Sequence, residues 1–348
     1  MTAGKRLITW IIISLIVQIS LYLYLDKVYF APDGNIQISN IDTGDYAKAI
    51  TPKINFKSDD TNISLSYDCS YTAYMENGVL KVFDTNTGKE RTLGFSSGVQ
   101  ILSYKWLTDS NIMMIAERLT VNGRKAIQIF SYDADSQEKK DTNNYVGGKK
   151  VNTLPSYSSN DKVDFESSPD TGVLYTKVSY SKTEASVFRL DRNETLTRQS
   201  TTTRNIGKMC VASDDDQLVY EDLTYDRLRT NYKTRTLTLN GSTNLKLLGN
   251  DGNDNFYVSI GNTASQIYYG KLSVPTSSWN KITLSSPVIS SNIVVTPSGN
   301  VYNIDSADGK VVNLKNNKVY NFNGEYIGIN DSYISYKAND KLLVLALK

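Results

Sequence analysis

The chain has 348 residues, 38 of them basic and 36 acidic, with two cysteines and no histidine. Without an imidazole, Ser-His-Asp and Cys-His catalysis, histidine general bases and histidine-ligated zinc or haem are closed to this polypeptide. A net charge of +2 lacks the basic excess of a nucleic-acid binder, while an apolar fraction of 40 % suffices for one large core or two ordinary ones.

The first element in chain order is the apolar run Leu7 to Leu25, LITWIIISLIVQISLYLYL, 19 residues without a charge. At about 1.5 Å per helical residue it matches a hydrocarbon core of about 30 Å. Lys5 and Arg6 precede it, whereas Asp26 and Lys27 cancel after it. The positive-inside bias therefore predicts a cytoplasmic N-terminus (residues 1–6), a transmembrane signal anchor (7–25) and an extracytoplasmic remainder. Trp10 near one end and Tyr22 and Tyr24 near the other suit the two interfaces. A cleaved signal peptide fits less well, because DKVYFAP offers no small-x-small site and Ala31 is followed by Pro32. No cysteine follows the run to carry a lipid. With Lys5 and Arg6 set aside, 36 basic and 36 acidic residues remain.

Residues 26–57 read as a linker holding a β segment at Ile36 to Ile41 or Lys53 to Lys57. From residue 58 to 348 one pattern recurs: an Asp/Asn/Gly turn, a short β-rich strand, a second turn and another strand. The clearest copy is SYDCSYTAYMENGVLKVFDTNTGKE, where Asp68 opens a turn and Asn77-Gly78 supplies a hairpin signal. Further copies start at Asp109, Asp170, Asp214, Asp251, Ser298 and Asp331. These seven anchors lie about 44 residues apart on average, the period of a four-stranded propeller blade. The wide gap between Asp109 and Asp170 contains DADSQEKKDTNNYVGGKK, which reads as an inserted polar loop. The chain ends after what would be the third strand of the last copy. A strand from the 26–57 segment is expected to complete that blade and close the ring, leaving only short protected edges. The expected fold is all-β: a seven-bladed β-propeller, with six blades as the variant, preceded by one transmembrane helix. Two smaller β domains and a solenoid are the competing architectures.

The phrases S-x-D-x-x-Y-x-A-Y (Ser66 to Tyr74) and L-x-V-x-D-x-x-T-G-K (Leu80 to Lys89) resemble the WD-like repeats of TolB-type propellers and of the propeller domain of dipeptidyl-peptidase IV relatives. The resemblance is good in one blade, partial in three and faint in three, over roughly the last 285 residues. It implies function through binding, with propeller faces and channels holding proteins, glycans or peptides. In that family peptidase chemistry lives in a separate hydrolase domain, which this chain is expected to lack.

The motifs that suggest chemistry are weak. Gly94-Phe95-Ser96-Ser97-Gly98 matches G-x-S-x-G, but a nucleophile elbow needs a strand-to-helix turn and a histidine. Two S-x-x-K strings, Ser159 to Lys162 and Ser179 to Lys182, lack the buried lysine a Ser-Lys dyad requires. Carboxylate chemistry survives the absence of histidine, since glycosidases need two acids about 5 to 9.5 Å apart. Glu117, Asp164, Glu166, Glu221 and Asp222 are candidates, with no spacing that singles out a pair. Asp214-Asp215-Asp216 and the Asn250 to Asn255 loop are rich in oxygen, but Asp251, Asn253 and Asn255 lack the glycine and distal glutamate of an EF-hand; Asx-turn capping is the expected use. No metal and no cofactor is expected. Cys69 and Cys210 are able to pair in an oxidising compartment, yet each sits in an alternating apolar run, where a free cysteine acts as a small buried hydrophobe.

Tyrosine supplies rigid contact area with a polar tip, so the 24 tyrosines direct attention to binding. Tyr225, Tyr232, Tyr268, Tyr269, Tyr302 and Tyr326 are the candidate contacts; a half-buried strand position is the competing reading for each. The function expected is a non-catalytic binding or assembly module at a bacterial cell envelope, engaging a protein or glycan, without nucleic acid. A carboxylate-dependent glycan hydrolase or lyase is one alternative. An accessory or sensor subunit, its helix pairing through Ser14, Gln18 and Ser20, is the other.

Overall fold

A computed structural model describes residues 3–24, 50–94, 99–121, 123–141, 144–146, 149–151, 153–193, 195–232 and 236–347. The chain divides into two compact units, Met1–Tyr46 and Ala47–Lys348. In the first, Ala3–Tyr24 forms a helix, α1. Trp10, Ile11, Ile12 and Ile13 are all exposed. At about 100° per residue, four consecutive apolar side chains carry bare hydrocarbon most of the way round the helix. Among the described residues no helix is long and apolar enough to cross a membrane.

The second unit is a seven-bladed β-propeller. Blade 1 spans residues 61–91, blade 2 100–141, blade 3 162–199, blade 4 206–230, blade 5 245–289, blade 6 293–321 and blade 7 325–346. Each is an antiparallel meander in which consecutive strands pair. The seven sequence anchors fall one to a blade, in the turn between the first and second strands. The first strands neighbour one another around the axis, blade 7 to 1, 1 to 2, 2 to 3, 3 to 4, 4 to 5 and 5 to 6.

Alternation of side chains along each strand explains why blades stack in this way. In the second strand of blade 2, Met113 and Ile115 pack with Tyr71, Leu80 and Val82 of blade 1, while Met114 and Ala116 pack with Val163, Phe165 and Leu174 of blade 3. A period of two delivers one apolar set to each neighbour. The same division produces a cluster between every adjacent pair of blades, including Ile54, Phe56, Tyr74 and Leu342 between blades 7 and 1.

Blade 7 has three strands of its own, Glu325–Ile329, Tyr333–Ala338 and Lys341–Ala346. Residues 53–57 lie along the outer edge of the last. Asn55 pairs antiparallel with Lys341, the Phe56 amide donates to Asp340 O at 2.7 Å, and the Leu342 amide donates to Ile54 O at 3.2 Å. The Lys53 amide reaches across to Thr85 O in blade 1 at 2.8 Å. Phe56 stands edge-on to Tyr74 with ring centroids 5.3 Å apart. Ile36 to Ile41 lie outside the described residues.

The inserted-loop reading of the 109–170 gap needs correction. Glu138–Asp141 pairs with Arg124–Asp133 as the outer strand of blade 2, and Asn144–Val146 pairs with Lys149–Val151. Leu154–Pro155 then adds to the same edge of the sheet. An outermost strand is freed from the demand for buried alternation, so a polar sequence such as EKKD serves there. Blade 4 departs differently: among the described residues its third strand, Arg227–Thr230, is followed by two isolated bridges, Arg229 to Thr236 and Leu239 to Ser242.

Phe56→Ala is expected to cost about 3 to 5 kcal/mol, because it empties a buried aromatic position at the closure of the ring. Urea denaturation of the full chain, followed by tryptophan fluorescence, checks this through a lowered midpoint with an unchanged slope.

Candidate functional site

The first strands deliver one side chain each to the propeller axis, polar in blades 1 to 3 and apolar in blades 5 to 7. Counted four residues before each anchor, the positions are Ser64, Lys105, Glu166, Cys210, Leu247, Val294 and Ile327. Lys105, Glu166, Cys210 and Val294 line a cavity of about 400 Å³, together with Trp106, Asp109, Asp170, Lys208, Leu248 and Asp251. A register shift between Leu247 and Gly249 turns Leu248 rather than Leu247 into it. A second hollow of about 290 Å³ is lined by Tyr104, Asp164, Lys177 and Met209. Lys105, Phe165, Glu166 and Lys208 line both, so these four residues form the partition between them.

Lysines brace this partition by reaching one blade forward. Lys105 Nζ donates to Phe165 O and to Glu166 Oε1, both at 2.8 Å. Lys177 Nζ donates to Gly207 O at 2.7 Å and pairs with Asp164 at 3.0 Å. Lys208 Nζ donates to Leu248 O. Burial favours neutral Lys105, but the charge and hydrogen bond of Glu166 outweigh it and hold the ammonium above the ordinary lysine pKa. Although 45 % of the Lys105 side chain is free, that surface faces the axial cavities. The larger cavity carries Lys105 and Lys208 against Asp109, Glu166, Asp170 and Asp251, and the smaller carries three lysines against Asp164 and Glu166. The channel is thus acidic toward the anchor turns and basic on the other side of the partition.

The carboxylates singled out in the sequence divide accordingly. Asp164 and Glu166 line the axial hollows. Glu221 is occupied by the Lys208 amide at 3.0 Å and the Leu247 amide at 3.3 Å, which ties blade 4 to blade 5. Glu117 is buried beside Lys139, and Asp222 is buried against Arg229 at 3.1 Å. The acidic turns serve as fasteners. Asp216 accepts from Tyr175 Oη and Arg189 Nε, both at 2.6 Å. Asp251 Oδ1 accepts the Asn253 and Asn255 amides at 2.9 Å, and its Oδ2 accepts Tyr257 Oη at 2.9 Å. Asp214 is different: the hydrogen bond and like charge of Asp170 raise its pKa.

The six candidate tyrosines do not converge. Tyr225 is 60 % exposed on a blade 4 turn, with the Arg227 guanidinium 5.0 Å from its ring. Tyr232 and Tyr268 pack against the core between blades 4 and 5. Tyr269 stacks on Tyr257 at 4.9 Å between blades 5 and 6. Tyr302 is buried and Tyr326 half-buried between blades 6 and 7. Lys162 and Lys182 of the S-x-x-K strings are exposed on or beside strands. Residues 95–98 of the G-x-S-x-G string lie outside the described residues. The axial lysines Lys105, Lys177 and Lys208 escaped the sequence reading, although the fixed offset from each anchor was there to find Lys105.

Cys69 and Cys210 are free and buried, in blades 1 and 4. Burial pushes both thiols up to about 12, and for Cys210 it overrides the neighbouring Lys208 and Lys105.

No protein-family model and no curated protein matches the chain. Among solved structures it is similar to a chain from a structural and mechanistic analysis of two prolyl endopeptidases. The two share 12 % identity and a TM-score of 0.49, over 83 % of this chain and 49 % of that one. The chain therefore spans about half the length of that structure. Its own fold and cavity define a seven-bladed β-propeller with an axial pocket of ligand size.

The Cys69 thiol is expected to resist a neutral-pH disulfide reagent in the native chain and to react on unfolding in urea, a titration that absorbance follows directly. Asp214→Asn is expected to raise the melting temperature near pH 7 and to leave it unchanged near pH 3. The sign follows from a folded pKa above the unfolded one: the native state favours the proton, so stability falls as pH rises through the carboxylate range.

Proposed function

We propose that the chain is a membrane-anchored, non-catalytic binding or assembly module whose propeller engages a protein or glycan of a bacterial cell envelope through its axial cavity. The observation that carries this reading is the 400 Å³ cavity with its braced, two-signed wall. Pockets of about 300 to 1,000 Å³ hold ligands when a few polar groups are fixed in advance, and the forward-reaching lysines fix them here. The acidic balance of the larger cavity favours a partner that presents a lysine or arginine side chain. The carboxylates argue against a hydrolase: Glu166 is neutralised by Lys105, Asp251 is filled by its own turn, and Asp170 and Asp214 contact one another.

Anchoring is supported by the uncharged run of residues 7–25, which extends at both ends beyond the helical side chains described above. Apolar surface on all sides of a helix has no use in water. Lys5 and Arg6 orient the helix with the propeller outside. Reporter fusions after Leu347 are expected to be active only outside the cytoplasm, and the chain is expected to stay in the membrane fraction at alkaline pH. A cytoplasmic reporter overturns the topology.

For the cavity, affinity capture from native membranes with the full chain is expected to recover a defined partner, and Glu166→Lys is expected to lose it while still unfolding in one cooperative urea transition. Capture unchanged by Glu166→Lys removes the cavity from the account. New reducing ends released from an envelope polysaccharide would establish the hydrolase instead.

A further inference from the structure

We propose that blade 3 carries a second binding site, for an acidic sugar residue, in a groove formed by Tyr157, Tyr180, Arg198 and Arg204. Two hollows of about 300 and 350 Å³ adjoin along Ser186, Arg198 and Arg204, which line both. None of its lining residues lines the axial cavities.

One end of the groove is aromatic. Tyr157 meets Tyr180 edge-on, with centroids 4.6 Å apart and an interplanar angle of 78°. Tyr180 is half-buried, whereas Tyr157 is 72 % exposed. That exposure belongs to a held segment. Asp161 is buried and accepts the Tyr157 amide at 2.9 Å, the Ser158 amide at 3.0 Å and Ser156 Oγ at 2.8 Å. A tyrosine presented to solvent on a braced backbone costs little further ordering when a ligand stacks on it.

The charges leave an anion site. Arg204 pairs with Glu184, which cancels the acid of the groove. Arg198 forms no ion pair among the described residues; its guanidinium donates to Ser186 Oγ at 2.9 Å, which orients the fork. Among the described residues the groove therefore carries one positive charge in excess, on a side chain suited to bidentate carboxylate recognition. Gln199 and Ser200 add amide and hydroxyl groups along the far wall. A hexuronate meets all three features: its C–H face stacks on Tyr157, its carboxylate meets Arg198, and its hydroxyls meet Gln199 and Ser200. An acidic peptide side chain would meet Arg198 but leave the tyrosine and the polar wall unused.

Calorimetry of the detergent-solubilised full chain with trigalacturonate tests this, with galactotriose and triglutamate as the neutral and peptide counterparts. Trigalacturonate is expected to bind, more weakly as salt rises, and to outbind both counterparts. Arg198→Gln is expected to weaken it about tenfold, and Tyr157→Ala about fivefold. Both side chains lie at the surface, so the urea midpoint is expected to hold; should Arg198→Gln fail to fold, Tyr157→Ala and the salt dependence decide. Absence of trigalacturonate binding, equal binding of either counterpart, or binding unchanged in the folded variants overturns the proposal. Glu166→Lys leaves this groove intact, so failure here and failure of the axial reading are separate results.

Discussion

Closure of the ring is the constraint on which the other features depend. Seven sheets that each bury both faces against neighbours have no stable partial form in which the first and last blades are left bare, because one apolar cluster would then face water. The contact between blades 7 and 1 is made partly by residues that belong to neither blade in sequence order. Ile54 and Phe56 join Leu342 and Tyr74 in one cluster, and the backbone of residues 53–57 covers the edge of the last strand. Two ends of the chain some 290 residues apart in sequence are thus joined by backbone pairing and side-chain burial together. Long-range pairing of this kind is slow to form, since loop entropy must be met before the contact repays it. The local hairpins of each blade reduce that burden by forming from neighbouring residues.

The architecture was legible because its signal repeats. A turn residue every 40 or so positions, followed by β-branched and aromatic residues, identifies a blade even when any single copy is faint. Asp68 and Asp251 show what an anchor does in its clearest form: the Asp68 carboxylate accepts the Ser70 amide at 2.9 Å and holds Ser66 Oγ at 3.0 Å, and that of Asp251 accepts the Asn253 and Asn255 amides, so the turn between the first two strands is fixed locally. The outer strand of blade 2 was illegible for the opposite reason. Glu138–Asp141 is bound mainly by backbone pairing, which leaves no mark on the side-chain pattern.

Tyrosines were a poor guide to the site for a reason specific to propellers. In a sheet with one wet face, an alternating tyrosine has an even chance of facing solvent. Inside a blade both faces are covered, so Tyr302 and Tyr269 point into an interblade core whichever way they alternate. Their hydroxyls then need partners, and the structure supplies them elsewhere from acidic turns, as Tyr71 with Asp135 at 2.8 Å and Tyr175 with Asp216 illustrate. Exposed tyrosines belong to turns and connections, where Tyr225 and Tyr157 lie. Tyr225 was among the sequence candidates, whereas Tyr157, in the connection before blade 3, was not.

The axial wall joins the fold to the proposed activity. A lysine that spends hydrogen bonds on the carbonyl of the next blade is both a fastener and a fixed charge, and the two roles reinforce one another. Lys105 is held by Phe165 O as well as by Glu166, so loss of the carboxylate alone would leave the amino group in place. A flexible lysine would have to be ordered on binding, at a cost of up to about 1.5 kcal/mol for a side chain of that length. Here the ordering is completed on folding, with the ring as its scaffold. The same kind of blade-to-blade contact that closes the propeller therefore prepares its channel.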